Sequence, residues 1–296
     1  MSNINGSVRI ALFGESDNGK SHYGAQLLER IEAEKCGIKL RVAAPDVSAF
    51  DEVRKRLGAG LLAEHTPSGI YQDVILPVVD VAGRAMDLTW PDYAGEQVRQ
   101  LIDTRAMKQE WLDRTQAAHG WILIVRPKLA KTDDDIFSKP LSHVGRAPES
   151  GEVKPRRSIQ ARLVELLQML LHARRLHDRG SIPPLVVLLS CWDELQLLEG
   201  SKPGDLLDAQ MPLLASFVRS NWGARASILG LSALGVELDM KEANEAFIDR
   251  GATQAFDLTI SRAFSWKRNG LPNIKNTGAC VGTKELNWNT NNDGVD

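Results

Sequence analysis

Apolar residues recur along the chain in two rhythms, and each predicts a kind of element. Short β-branched runs that stop at glycine, proline or polar residues read as strands: Val8–Phe13, Val74–Ala82, Arg84–Thr89, Trp121–Val125, Leu185–Leu189 and Ala226–Leu231, with Ile38–Ala43 a shorter candidate. Gly83 joins the second and third of these at a tight turn, which predicts an antiparallel hairpin. Elsewhere the apolar positions fall at helical spacing. Tyr23, Leu27, Leu28 and Ile31 share one face of a stretch ending near Lys35, and Ala49–Leu62 reads as a helix capped by Ser48 or Asp46 and weakened by Gly58 and Gly60. Gln97–Ala118 is helical in two pieces, a helix falls within Asp205–Ser220, and Glu242–Trp266 reads as helical with a break at Gly251. In Ser158–His177 the stripe Ile159, Leu163, Leu166, Leu167, Leu170 and Leu171 is a core face rather than an interaction face. Lys128–Arg157 loses periodicity and predicts a long surface excursion, and the asparagine-rich tail from Lys267 is expected to be poorly ordered.

Composition narrows the partners. The 296 residues hold 36 Lys+Arg against 38 Asp+Glu, a net charge of -2, which lacks the basic excess of a nucleic-acid binder. Cys36, Cys191 and Cys280 are too few and too scattered for a disulfide framework or a thiolate zinc site, so a reducing compartment is expected. Met1–Ser7 has neither the cationic lead nor the apolar stretch of a signal peptide. No apolar run approaches the roughly 20 residues of a membrane helix, and a soluble cytoplasmic protein is the expectation.

Four segments carry candidate chemistry. Gly14-Glu15-Ser16-Asp17-Asn18-Gly19-Lys20-Ser21 matches G-x-x-x-x-G-K-[S/T] between a strand and a helix, the context in which backbone N–H groups and a helix N-terminus cradle phosphate. Gly14, Ser16, Asp17, Asn18, Gly19, Lys20, Ser21 and the adjoining His22 are candidate nucleotide-binding residues. Lys20 would reach the β- and γ-phosphates and the Ser21 hydroxyl would ligate magnesium. In Asp92-Tyr93-Ala94-Gly95, the carboxylate can hold a magnesium-bound water and the glycine amide can approach a γ-phosphate. Glu96 stands where a water-positioning residue belongs, or is simply an acid favoured by a helix N-terminus. Lys20, Gly95 and Glu96 are thus the catalytic candidates. Ser190-Cys191-Trp192-Asp193 ends a strand, and the Asp193 carboxylate can accept from the N1 and N2 donors of guanine, a pair that adenine lacks. Ser232-Ala233-Leu234 follows another strand and can offer a backbone amide to the base carbonyl. Arg99, Arg105 and Arg126 are candidate charge stabilisers that no spacing separates, and the six histidines show no ligand spacing.

The order and strand-end placement of these segments resemble the small-GTPase-like P-loop proteins, the translation-factor and Ras-related class, over Ser7–Leu234. The Asp-x-x-Gly-Glu wording, the Cys-Trp-Asp-Glu-Leu run and the long insert look most like the bacterial double-GTPase group associated with conflict and stress systems. The resemblance implies an α/β fold with a mainly parallel sheet, one antiparallel hairpin strand and helices on both faces. It would occupy residues 1–266 with an insert at 128–182, followed by a tail at 267–296. It also implies Mg2+ as cofactor, GTP and GDP as ligands, a protein effector or activating partner, and a switch that hydrolyses GTP. The switch threonine matches Thr66, with Ser68 in reserve, so that Ser21, Thr66 and Asp92 form the metal set and Cys191, Asp193, Ser232, Ala233 and Leu234 the base set. Two departures stand out. Ser190 and Cys191 replace Asn or Thr and Lys, which removes the lysine stem that packs along the base; Glu96 replaces a glutamine, and a carboxylate repels a γ-phosphate, implying slow or partner-stimulated hydrolysis. An ATPase or nucleotide kinase on the same loop, and a module that binds nucleotide without turnover, are the alternatives.

Overall fold

The computed structural model describes residues 8–63, 71–93, 95–130, 157–177, 182–195, 201–235, 238–250, 265–266, 272–273 and 285–286. Strand β1 (Val8–Phe13) leads into α1 (Lys20–Glu32), β2 (Ile38–Leu40) and α2 (Ser48–Gly58). The hairpin β3 (Tyr71–Asp80) and β4 (Ala85–Tyr93) follows, then α3 (Gly95–Thr104), α4 (Gln109–Ala117), β5 (Gly120–Val125) and α5 (Pro127–Ala130). After α6 (Ile159–His177) come β6 (Leu185–Leu189), α7 (Pro203–Gln210), α8 (Pro212–Trp222), β7 (Ala226–Gly230) and α9 (Glu245–Arg250), with the short strands β8 (Ser265–Trp266), β9 (Pro272–Asn273) and β10 (Glu285–Leu286) at the end.

The main sheet runs β10-β7-β6-β5-β1-β4-β3-β2. β4, β1, β5, β6 and β7 are mutually parallel; β3 runs against both β4 and β2, and β10 runs against β7. The expected mainly parallel sheet with an antiparallel hairpin strand is therefore present. Asp80 builds the hairpin turn: its Oδ1 accepts from the amides of Ala82 and Arg84, both at 2.9 Å. Beyond Thr89, which faces Ala11, β4 pairs only with β3, and Pro91 falls in that stretch, where a missing N–H interrupts no central ladder.

Side chains alternate across the sheet into two cores. Ile10, Leu12, Ile122, Ile124, Val186 and Leu188 pack under α1 and α2, whereas Phe13, Trp121, Leu123, Val125, Val187 and Leu189 face the other side. There Leu163, Leu166, Leu167 and Leu170 of α6 are each 0% exposed. Burying a leucine is worth about 1.5–3 kcal/mol relative to exposure, so α6 is anchored as part of the core, as its stripe predicts. Val98, Leu101 and Ile102 of α3 and Trp111 of α4 join the same side.

Two helix expectations need correction. The single helix in Asp205–Ser220 is two, because Pro212 has no N–H to continue α7 and instead opens α8. Of the helix expected over Glu242–Trp266, α9 is described, with the Phe247 amide bonded to Asn244 Oδ1 at 3.0 Å; residues 251–264, including the break expected at Gly251, lie outside the described residues. Ser265 and Trp266 are extended and paired with Asn273 and Pro272. Most of the 128–157 excursion, residues 131–156, and most of the tail after Lys267 lie outside the described residues. Among the described residues no helix is long and apolar enough to cross a membrane.

Candidate functional site

Five parallel strands end at one edge of the sheet, and their carboxyl ends bring the candidate segments together. β1 delivers Gly14–Gly19 at its centre. Gly19 adopts φ 73° as the N-cap of α1, in the left-handed region that glycine enters without penalty, and Asp17 adopts φ 63°. A Cβ on Gly14 would stand 2.9 Å from the carbonyl oxygen of Ile124, so the loop can lie against β5 only with glycine there. Asn18 Nδ2 fastens the loop to that same carbonyl at 3.0 Å.

Helix α1 follows the loop directly. Its first turn holds no acidic residue and its N-cap makes no side-chain hydrogen bond, so the positive end of the dipole is not neutralised by the chain at those positions. The first helical hydrogen bond runs from Tyr23 N to Gly19 O at 2.9 Å. Lys20, 8% exposed, donates its Nζ to the Glu15 carbonyl, which holds a buried ammonium inside the loop. His22 accepts at Nε2 from the Ala63 amide at 3.2 Å, tying the first turn of α1 to the chain that enters the Thr66 segment. Thr66 and Ser68 themselves lie outside the described residues.

On the β6 side, Ser190 is buried and donates both N and Oγ to the Val125 carbonyl, at 2.8 and 3.2 Å. Cys191 takes φ 51°, and its Sγ lies 4.0 Å from where a Cβ on Gly19 would be, so the thiol backs onto the phosphate loop. Burial pushes that thiol up to about 11 in spite of the nearby Arg126. Trp192–Leu195 forms a short 3-10 turn. Within it the Asp193 carboxylate accepts from Ser232 Oγ, and Ser232 Oγ accepts from the Gly235 amide at 3.0 Å. The structure thus joins the two base-side candidates, one from each of two neighbouring strand ends; Ala233 and Leu234 follow in the same bend and pack on the α1 side of the core.

Asp92 lies at the carboxyl end of β4. In the β1–β4 register Ala11 faces Thr89, and Asp92 follows Thr89 in the chain by the same interval as Gly14 follows Ala11. Gly95 and Glu96 open α3 immediately beyond. Ser21 on α1 and Asp92 on β4 are a hydroxyl and a carboxylate, the oxygen donors that a hard divalent cation such as Mg2+ prefers.

The arginines separate in space. Arg105 pairs with Glu165 of α6 at 2.9 Å. Arg99 Nε lies 4.0 Å from the Glu15 carboxylate, and Arg126 contacts Glu194 and Asp17. Sequence reasoning missed Glu15 and Arg162. The Glu15 side chain, 5% exposed within the phosphate loop, receives Nε and Nη2 of Arg162 at 2.7 and 2.8 Å. No periodicity signals a pair so far apart in the chain; the one available hint was a carboxylate in a phosphate loop, which demands a compensating cation.

A strand–glycine loop–helix unit on a parallel sheet, with a carboxylate–serine pair at the base end and an Asp-x-x-Gly segment beside the loop, defines the class of P-loop nucleotide-binding proteins. The Double-GTPase 1 family model matches residues 11–268, and the chain belongs to that family of GTPases. No curated protein matches the sequence. Among solved structures, the chain is similar to one in the signal recognition particle receptor SRb-GTP/SRX complex from Chaetomium thermophilum, at 14% identity and a TM-score of 0.36, covering 83% of this chain and 97% of that one.

Proposed function

We propose that the chain binds guanine nucleotide with Mg2+ and hydrolyses GTP as a molecular switch. The observation that supports this most is the phosphate loop. An uncapped α1 N-terminus free of acidic side chains, with Lys20 buried against the loop, matches a polyanion and little else. In this reading Lys20 and the loop amides from Gly14 to Ser21 hold the phosphates, with His22, which accepts from the Ala63 amide, among the nucleotide-binding residues. Ser21 and Thr66 would hold the metal directly and Asp92 through water; the ion supplies charge neutralisation at the β- and γ-phosphates.

Asp193, oriented by Ser232, accepts from the N1 and N2 donors of guanine, and the amides of Ala233 and Leu234 face the base carbonyl. Cys191 stands beside Gly19 on the same side of the loop. Hydrolysis proceeds by in-line attack of water on the γ-phosphorus: a new P–O bond forms, the bond to the bridging oxygen breaks, and GDP and phosphate leave. Gly95 donates its amide to the γ-phosphate and Glu96 orients the water. Because a carboxylate there repels the phosphate, turnover is slow until a partner protein completes the site. Action through an effector, in a bacterial conflict or stress system, is part of the same reading and rests on the family resemblance.

Titration with mant-GTP and mant-ATP in magnesium tests the assignment. Tighter binding of mant-GTP, lost in Lys20→Ala with the far-UV spectrum unchanged, is the expected result. Retained binding by Lys20→Ala refutes the loop assignment, and tighter mant-ATP binding refutes the guanine assignment.

A further inference from the structure

The base side of the site has an unmet requirement. Where the GTPase pattern places a lysine along the nucleotide, this chain has Cys191, a side chain that is neutral at ordinary pH and too short to leave the loop wall. A guanidinium from another strand reaches that wall. Arg126, the residue after β5, donates Nη1 to the Asp17 carbonyl at 3.1 Å, and so reaches the phosphate loop at its left-handed residue. The same guanidinium grips Glu194 side-on, Nε to Oε2 at 3.1 Å and Nη2 to Oε1 at 2.5 Å. Glu194 directly follows Asp193, and Lys128 Nζ stands 3.8 Å from its Oε2. Arg126 is therefore clamped between the loop that takes phosphates and the turn that takes the base.

This clamp has the properties of a binding group. A guanidinium has five N–H donors, and the three contacts above use three of them. Its planar face suits a purine or a ribose edge, since arginine stacks on π systems as well as pairing with anions. Bidentate capture by Glu194 fixes the plane before ligand arrives, which reduces the entropy lost on binding. The side chain is 25% exposed, open enough to meet a ligand and too confined to swing away. Its anchorage is the Asp17 carbonyl, three residues before Lys20 in the loop.

We infer that Arg126 is a nucleotide-binding residue that contacts the nucleoside end of the ligand, supplying from the end of β5 the cation that the GTPase pattern supplies from the position of Cys191. Glu194 is its positioning residue. This inference rests on the nucleotide-binding reading above. Its consequence is that nucleoside affinity in this chain depends on a pair from two neighbouring strands, β5 and β6.

Isothermal titration of the full chain with GDP, ADP and inorganic tripolyphosphate tests it, using Arg126→Met, Arg126→Lys, Glu194→Gln and the double variant Arg126→Met with Cys191→Lys. Arg126→Met should weaken GDP binding about tenfold, or about 1.4 kcal/mol, and leave tripolyphosphate binding unchanged. Arg126→Lys and Glu194→Gln should lie between, and Cys191→Lys should restore part of the loss in the double variant. If the unaltered chain binds GDP and Arg126→Met and Arg126→Lys bind it equally well, the inference is overturned while the nucleotide reading stands. Equal losses for GDP and tripolyphosphate also overturn it, because they show a general charge effect. Loss of nucleoside affinity in Arg126→Met in a chain that prefers ADP supports the inference and refutes guanine selection. A chain that binds none of the three overturns both.

Discussion

Arg162→Ala removes the cation that holds the phosphate loop from behind. The Glu15 carboxylate is 5% exposed and takes both its short contacts from Arg162, itself 18% exposed. Deleting one partner of a buried ion pair costs about 3–5 kcal/mol, because the other charge is left desolvated. Here Arg99 stands 4.0 Å from Glu15 on a side chain 53% exposed and can move closer, which places the expected cost at the low end, about 3 kcal/mol. The reverse deletion is milder. In Glu15→Gln the amide still offers an oxygen to the guanidinium, and Arg162 keeps its hydrogen bond to the Arg157 carbonyl at 2.6 Å, so about 1–2 kcal/mol is expected. The double variant should cost less than the sum of the two, since both remove one interaction. Urea unfolding of the nucleotide-free chain followed by tryptophan fluorescence measures all three. Calorimetry should show Arg162→Ala melting about 6–12 °C lower, at roughly 2–4 °C per kcal/mol for a domain of this size. An Arg162→Ala variant within about 0.5 kcal/mol of the unaltered chain, or a Glu15→Gln variant that costs more, refutes the reasoning.

Gly24→Ala should destabilise by about 1–3 kcal/mol even though alanine favours helices by about 1 kcal/mol, because the new Cβ would lie 2.6 Å from Phe50 and 2.9 Å from Trp90; a neutral or stabilising change in urea titration contradicts that packing. Burial resists ionisation of Asp80, but the hydrogen bonds and charge of Arg84 and the Ala82 amide outweigh it and hold the carboxyl below its ordinary value. Its contribution to stability is then fully present above the unfolded carboxylate value of about 4 and disappears as pH falls through the folded value. The stability gap between the unaltered chain and Asp80→Asn should close as the pH is lowered toward the depressed value, and a gap that stays constant contradicts the assignment. Cys191, with its thiol raised to about 11 chiefly by burial, should react with iodoacetamide at pH 8 about a hundredfold more slowly than an ordinary cysteine; labelling at the free-thiol rate, located by mass spectrometry, contradicts the buried placement.

Local physics left clear marks in the sequence. The phosphate loop is legible because its chemistry is contiguous: glycines where the backbone must bend, a lysine and serine where the helix opens. The unbroken apolar run Trp121–Val125 announced a strand buried on both faces, and the leucines of α6 announced burial because a half-buried helix surface repeats with the period of its element. The break at Pro212 was readable in principle, yet the apolar pattern runs through it from Leu206 to Val218 and masks it. Ion pairs leave no such pattern. Arg126 was visible only as one of several candidate cations; its pairing with Glu194 and Asp17 depends on β5 lying between β1 and β6, a fact of sheet order. The same holds for the Asp193–Ser232 contact, which needs β6 and β7 to be neighbours.

A crystal structure of the chain with Mg2+ and a non-hydrolysable GTP analogue tests the central claim most directly. The expected density places the β-phosphate within the amides of Gly19 to Ser21, Lys20 Nζ moved from the Glu15 carbonyl to the phosphates, and Asp193 on the guanine edge. Nucleotide bound elsewhere, with Lys20 still on Glu15 and the loop unchanged, would contradict it.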